Sequence, residues 1–270
     1  MQLEVGADKV ENLAKADLLV ERAAAEGAQI VVLPEKWNGI GEPDELRALA
    51  EPLAGGASVE AMSDWARRDG LWLVGGSITE FREGRDRLSN TCCVFAPDGS
   101  LAAVYRKIHL FDVEVGGHVY RESDVEEAGT DPALVDVDGM GVGLSICYDL
   151  RFPELYRLLA AAGAELLTVP ANFTLATGRD HWHVLLRARA IENQCYVAAA
   201  AQIGGSVPGR PSYGHSLVVD PWGTVLADAP DEETVVVAEF DRARLRRIRE
   251  TLPSLANRRP DAYRLPARAT

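Results

Sequence analysis

The chain has 270 residues, 47% of them hydrophobic and 26% charged, enough for one domain with a large core. No apolar run reaches the roughly 18 residues of a membrane span. A net charge of −13 argues against nucleic acid as the main partner.

The opening MQLEVGADKVENL is acidic and lacks the basic and apolar regions of a signal peptide. Cys92, Cys93, Cys147 and Cys195 show no metal or redox spacing, so they read as reduced thiols in a cytoplasmic protein. Residues 9–26 place Leu13, Ala16, Val20 and Ala23 at helical spacing, with Gly27 suited to the helix end. AQIVVLP continues the chain as a buried strand stopped by Pro34. The same phrase returns later. Helix PELYRLLAAAG (153–163) leads into AELLTVP, and GAQIVVLP (27–34) aligns with GAELLTVP (163–170). VFAPDGSL (94–101) and VVDPWGTV (218–225) are a second echo, each a strand, a Pro-x-Gly turn and a strand. These echoes imply two similar halves, expected to pack sheet on sheet with helices outside as one α/β domain spanning 1–270.

Three stretches carry candidate chemistry. In GLSICYDLRFPE (143–154), Cys147 lies where a strand ends and a helix begins near Pro153. Such a turn can present a thiol to a cleft, although placement alone leaves a buried structural cysteine equally open. A nucleophilic thiol needs a proton carrier, an oxyanion donor and a cavity that excludes water. None of the five histidines identifies itself as the carrier. Glu35, directly after Pro34, is a carboxylate that a poorly solvated pocket could adapt to that work. An arbitrary Glu there would be a surface turn residue. In YRKIHLFD (105–112), Lys107 could hold an oxyanion and lower the thiol pKa; alone it would be a solvated strand end.

LPEKW, YRKIHLFD and GLSICYDLRFPE, in this order, resemble the three catalytic signatures of the nitrilase superfamily, the carbon–nitrogen hydrolases. The resemblance extends through residues 181–202, YGHSLVVDPWGTVLA (213–227) and RRPDAY (258–263), nearly the whole chain. It implies a four-layer α-β-β-α sandwich, with Glu35 as general base, Lys107 supporting the tetrahedral intermediate and Cys147 as nucleophile. Glu122, in YRES, would orient the lysine and substrate, and the backbone N–H of Tyr148 would be the second oxyanion donor. The implied reaction passes through a thioester and needs no metal or cofactor. The amidase branch containing omega-amidase and deaminated-glutathione amidase is most similar, which implies a small acid bearing a carboxamide. A nitrilase or N-carbamoyl amidohydrolase is the alternative. Family members usually open with a β-strand, of which only MQL remains here as a stub.

Two other readings compete. A Cys–His acyl-transfer enzyme would use His181, His183 or His215. A non-catalytic interaction protein would leave Glu35, Lys107 and Cys147 without a task. HWH (181–183) does not suggest a metal site, because i and i+2 share a face only on a strand and this stretch reads as a helix. Arg151 and Arg189 could bind a carboxylate, with structural ion pairs the default. Residues 241–270 hold nine arginines and three acidic residues, a net of +6. This segment suits a basic tail, either solvated or packed on the acidic body, and the resemblance implies a homodimer or larger oligomer that uses it.

Overall fold

In the computed structural model, residues 1–205 and 209–263 are described. The expected first helix is α1 (Lys9–Ala25). The Asp8 carboxylate caps it by accepting from the Val10 N–H at 2.7 Å. Its buried stripe is Asn12, Ala16, Val20 and Ala23, and Gly27 leaves it at a φ of 88°.

The first sheet contains β1 (Ile30–Val32), β2 (Trp72–Val74), β3 (Ile78–Glu80), β4 (Ser89–Phe95) and β5 (Leu101–Arg106). Helices α2 (Pro43–Leu49) and α3 (Ala57–Asp69) lie between β1 and β2 in the chain. A small hairpin, β6 (Asp112–Val115) and β7 (His118–Arg121), then leads to the second sheet. That sheet contains β8 (Leu134–Val137), β9 (Met140–Leu144), β10 (Ala164–Ala171), β11 (Tyr196–Ala201), β14 (Leu217–Val219) and β15 (Val225–Asp228). The short pair β12 (Ile203–Gly204) and β13 (Ser212–Tyr213) stands beside it. The remaining helices are α4 (Pro153–Ala161), α5 (Leu175–Asn193) and α6 (Arg242–Thr251).

The two sequence echoes occupy equivalent places. β1 runs parallel to β2, which pairs antiparallel with β4, and β4 with β5. In the second half β10 runs parallel to β11, which pairs antiparallel with β14, and β14 with β15. The parallel pair in each half is joined through helix, as a crossover requires.

Alternation along the first sheet sets the layers. Val31, Leu33, Leu73, Cys93 and Phe95 share a core with Ala16 and Val20 of α1 and with Met62 and Trp65 of α3. Val32, Val74, Cys92 and Val94 point the other way, into a core with β9, β10 and β11. On the far side of the second sheet, α4 and α5 bury Leu155, Leu159, Trp182 and Leu186. The order is therefore helix, sheet, sheet, helix. MQL forms two single bridges, Gln2 to Thr234 and Leu3 to Gln202.

The described part of the basic segment, residues 241–263, packs on its own body, and residues 264–270 lie outside the described residues. Arg242 pairs with Glu165 at 2.9 Å, and Arg244 reaches the buried Asp220 at 2.8 Å. Leu245 and Ile248 of α6 are buried.

One glycine positions the segment beyond β1. Gly76 has a φ of 59°, and a Cβ there would lie 2.0 Å from the Pro34 carbonyl oxygen. Both the backbone conformation and the contact demand glycine. Gly76→Ala is expected to cost more than about 1 kcal/mol, read as a lower urea midpoint at constant slope. An unchanged midpoint would show that the end of β1 is not pinned there.

Candidate active site

Four chain segments meet at one end of the sandwich around a cleft of about 400 Å³. Glu35 follows Pro34 at the end of β1. Lys107 follows β5. Glu122 opens a 3₁₀ turn (Glu122–Asp124) directly after β7. Cys147 opens another (Cys147–Arg151) three residues after β9. All four line the cleft.

The Lys107 ammonium is the centre. It donates to Glu35 Oε1 at 2.9 Å and to Glu122 Oε1 and Oε2 at 3.0 and 2.9 Å. Burial works against this charge, but Glu122 and Glu35 outweigh it and hold the lysine well above its ordinary pKa. Glu122 is likewise buried at a cost, yet Lys107, Lys36 and the Phe111 N–H hold its carboxyl well below the usual range. Glu35 Oε1 also accepts from Asn90 Nδ2 at 2.8 Å, and Oε2 from the Asn172 N–H at 2.9 Å.

Cys147 has a φ of 46°, an uncommon conformation for a residue with a side chain. Its thiol pKa is pushed well up, first by burial and then by the facing Glu35 carboxylate. Lys107 and the Asn172 N–H pull the other way without prevailing. Lys107 does lower the thiol pKa, as its placement suggested, but burial and Glu35 outweigh it and favour the SH form.

Asp149 holds the elbow. It is fully buried. It accepts from the Ile146 N–H at 2.8 Å and the Tyr105 hydroxyl at 2.6 Å. It also accepts from the His109 N–H at 3.0 Å, and His109 Nδ1 lies 2.7 Å away. Tyr105 and His109 flank Lys107 in sequence, so one carboxylate ties the cysteine turn to the lysine segment. The Tyr148 ring packs edge-on against Phe111 and Phe152.

A carbon-nitrogen hydrolase family model matches residues 1–250. The chain belongs to the carbon-nitrogen hydrolase family. It is 44% identical over 269 residues to the chloroplastic omega-amidase of Arabidopsis thaliana, covering 98% of this chain and 72% of that protein. It is 43% identical to omega-amidase NIT2 of Mus musculus, covering 97% of this chain and 95% of that protein. Among solved structures, the C. elegans NitFhit protein matches with a TM-score of 0.89 at 40% identity, over 97% of this chain and 65% of that longer one. Saccharomyces cerevisiae Nit3, of the nitrilase superfamily, matches with a TM-score of 0.86 at 36% identity, over 93% of this chain and 92% of that chain. The protein is thus a C–N hydrolase of the amidase type.

Several residues of this hydrolase's site were not picked out from the sequence. Asn172 occupies the place in the second half that Lys36 holds in the first, so the ends of β1 and β10 meet at Glu35. The aligned repeats carried that signal. Lys36 and Glu126 form a second ion pair in the cleft at 2.7 Å. No sequence pattern joined them. The Glu126 carboxyl is pushed up to about 7 by burial and by Glu122, against the pull of Lys36.

The other candidates lie elsewhere. His181 sits 3.2 Å from Arg151, while His183 and His215 contact Asp228. None of the three lines the cleft. Arg189 is spent on the Leu150 carbonyl and Glu192. Arg151 stacks over Phe173 at 5.1 Å. The cations that do line the cleft are Lys36, Lys107, Arg121 and Arg210.

Because Glu126 binds its proton more tightly in the folded chain, its ionisation costs stability as pH rises from about 4.5 to about 7. Glu122, shifted the other way, contributes stability that is lost only below its unfolded value. Glu126→Gln is therefore expected to flatten the decline of stability across pH 5–7. Urea melts of both proteins over that range check this, and parallel curves would contradict it.

Proposed function

We propose that Cys147, Glu35 and Lys107 hydrolyse the terminal carboxamide of a small acid, an omega-amide of a 2-oxo acid being the first choice. The observation carrying this reading is the Lys107 ammonium fixed between Glu35 and Glu122, beside a buried thiol. The plant and mouse relatives are both omega-amidases. Arg121, Arg210 and Lys36 suit the carboxylate end of such a substrate, and about 400 Å³ suits its size.

The chemistry follows from the charge states. A high-pKa thiol is a poor nucleophile until its proton leaves. Glu35 takes that proton as sulfur attacks the amide carbon. The oxyanion is met by Lys107 and the Tyr148 backbone N–H. Glu35 then gives the proton to departing ammonia, leaving a thioester. Water attacks the thioester after yielding a proton to Glu35, and the acid is released with the thiol restored. Glu122 keeps Lys107 charged and aimed throughout.

Glu35→Gln, Lys107→Ala and Cys147→Ala are each expected to lower kcat by at least about 10²–10⁴-fold, with circular dichroism unchanged. Ammonia release should be tested on 2-oxoglutaramate, deaminated glutathione, a nitrile and an N-carbamoyl amino acid. Fastest turnover of 2-oxoglutaramate is expected. Preference for the nitrile or carbamoyl compound would move the protein to another branch, and full activity in folded Cys147→Ala would sink the scheme.

The free, buried cysteines support a reducing compartment such as the cytoplasm. No helix among the described residues is long and apolar enough to cross a membrane. A homo-oligomer is supported by the exposed Leu158, Val184, Ile191 and Trp222, three of them on α4 and α5.

A further inference from the structure

Outside the cleft, one group of metal-ligating side chains stands together among the described residues: His183, His215 and Asp228. Three elements supply it. His183 is on α5, His215 lies just before β14, and Asp228 ends β15. His183 Nε2 is 2.9 Å from Asp228 Oδ2, and His215 Nδ1 is 3.1 Å from Asp228 Oδ1. One donor atom from each residue lies within 4.8 Å of the other two. Ligands at about 2.0–2.1 Å around a tetrahedral ion stand about 3.3–3.5 Å apart, so small side-chain rotations reach that geometry.

The site is also held in place. His215 has a φ of 57°, and its carbonyl accepts from Trp182 Nε1 at 2.7 Å. Its ring stacks on Tyr213 at 4.6 Å between centroids. Its other nitrogen, Nε2, faces Asp231 Oδ1 at 3.5 Å. A ligating histidine commonly turns its second N–H to a carboxylate, which fixes the tautomer and strengthens the donor. Asp231 is placed for that task, which leaves Nδ1 for a cation. The side chains of His183 and His215 are 31% and 27% exposed, so an ion can enter from solvent.

We propose that His183, His215 and Asp228 bind one divalent transition-metal ion, with Zn²⁺ the best match to two imidazoles and one carboxylate. The fourth position would hold water. None of these residues lines the cleft, so the ion would clamp α5 to the β14–β15 hairpin and leave hydrolysis to Cys147. The proposal stands independently of the substrate assignment. Without an ion, the same atoms would be two imidazoles sharing one carboxylate through ordinary hydrogen bonds.

The test is a calorimetric titration of Zn²⁺ alone into the full chain carrying Cys147→Ala, which removes the cleft thiol as a competing ligand. Co²⁺ absorption reports the ligand set. One equivalent should bind and raise Tm. His183→Gln and His215→Gln should each weaken binding at least about 10-fold, Asp231→Asn by a similar factor, and His181→Gln not at all. Acid that protonates imidazole should release the ion. Activity of the unmodified enzyme should survive a chelator. Two results would overturn the proposal: no binding to the folded protein, or binding that persists unchanged in folded His183→Gln and His215→Gln.

Discussion

A buried ammonium is the constraint around which this site is organised. Lys107 is 2% exposed, and an unpaired charge at that depth is not sustainable. Glu35 from the segment after β1 and Glu122 from the turn after β7 both point at it. Their convergence fixes where three chain segments sit and keeps the lysine charged. Burial, and then the facing Glu35 carboxylate, push the Cys147 thiol well up. In the proposed mechanism a protonated thiol makes a base necessary, and Glu35 is the carboxylate that faces it. Electrostatics and mechanism are thus one arrangement seen from two sides.

Asp149 is the mechanical counterpart of Lys107. Its four contacts, to Ile146, Tyr105 and twice to His109, lock the cysteine elbow against the lysine segment. His109 also stacks on Phe152 at 3.6 Å. This histidine, two residues from the lysine, is a brace; its ring nitrogen is committed to Asp149. The unusual φ of Cys147 is sustained because the residues on either side are held so firmly.

The two-fold character of the fold explains why the site forms at this end. The equivalent strands β1 and β10 each end close to a proline: β1 stops at Val32, before Pro34, and β10 runs one residue past Pro170 to Ala171. Beyond them Glu35 and Asn172 enter the cleft. One half contributes the Glu35 carboxylate; the other contributes the Asn172 N–H that binds it. Lys36 and Glu126 add a second buried pair beside the first. Burial and the neighbouring Glu122 push the Glu126 carboxyl up, against the pull of Lys36.

The sequence by itself determined the layers and the chemistry. The apolar run AQIVVLP, the repeated phrase and the paired Pro-x-Gly turns are local patterns, and local patterns follow from backbone geometry and burial. Glu35, Lys107 and Cys147 were candidates in the sequence because each sits at a recognisable strand end or motif, and Glu122 because its stretch resembles a family motif; the fold brings all four to one cleft. Tertiary structure alone decided their charge states, since desolvation and neighbouring charge depend on distances between residues far apart in the chain. It alone joined Lys36 to Glu126 and gave His109 to Asp149. It also separated His181 from His183, sending one to Arg151 and the other to Asp228 and His215. Helical spacing ruled out a shared face for that HWH pair. It could not say which strand would lie beneath the second histidine, because packing between layers is not written in any one segment.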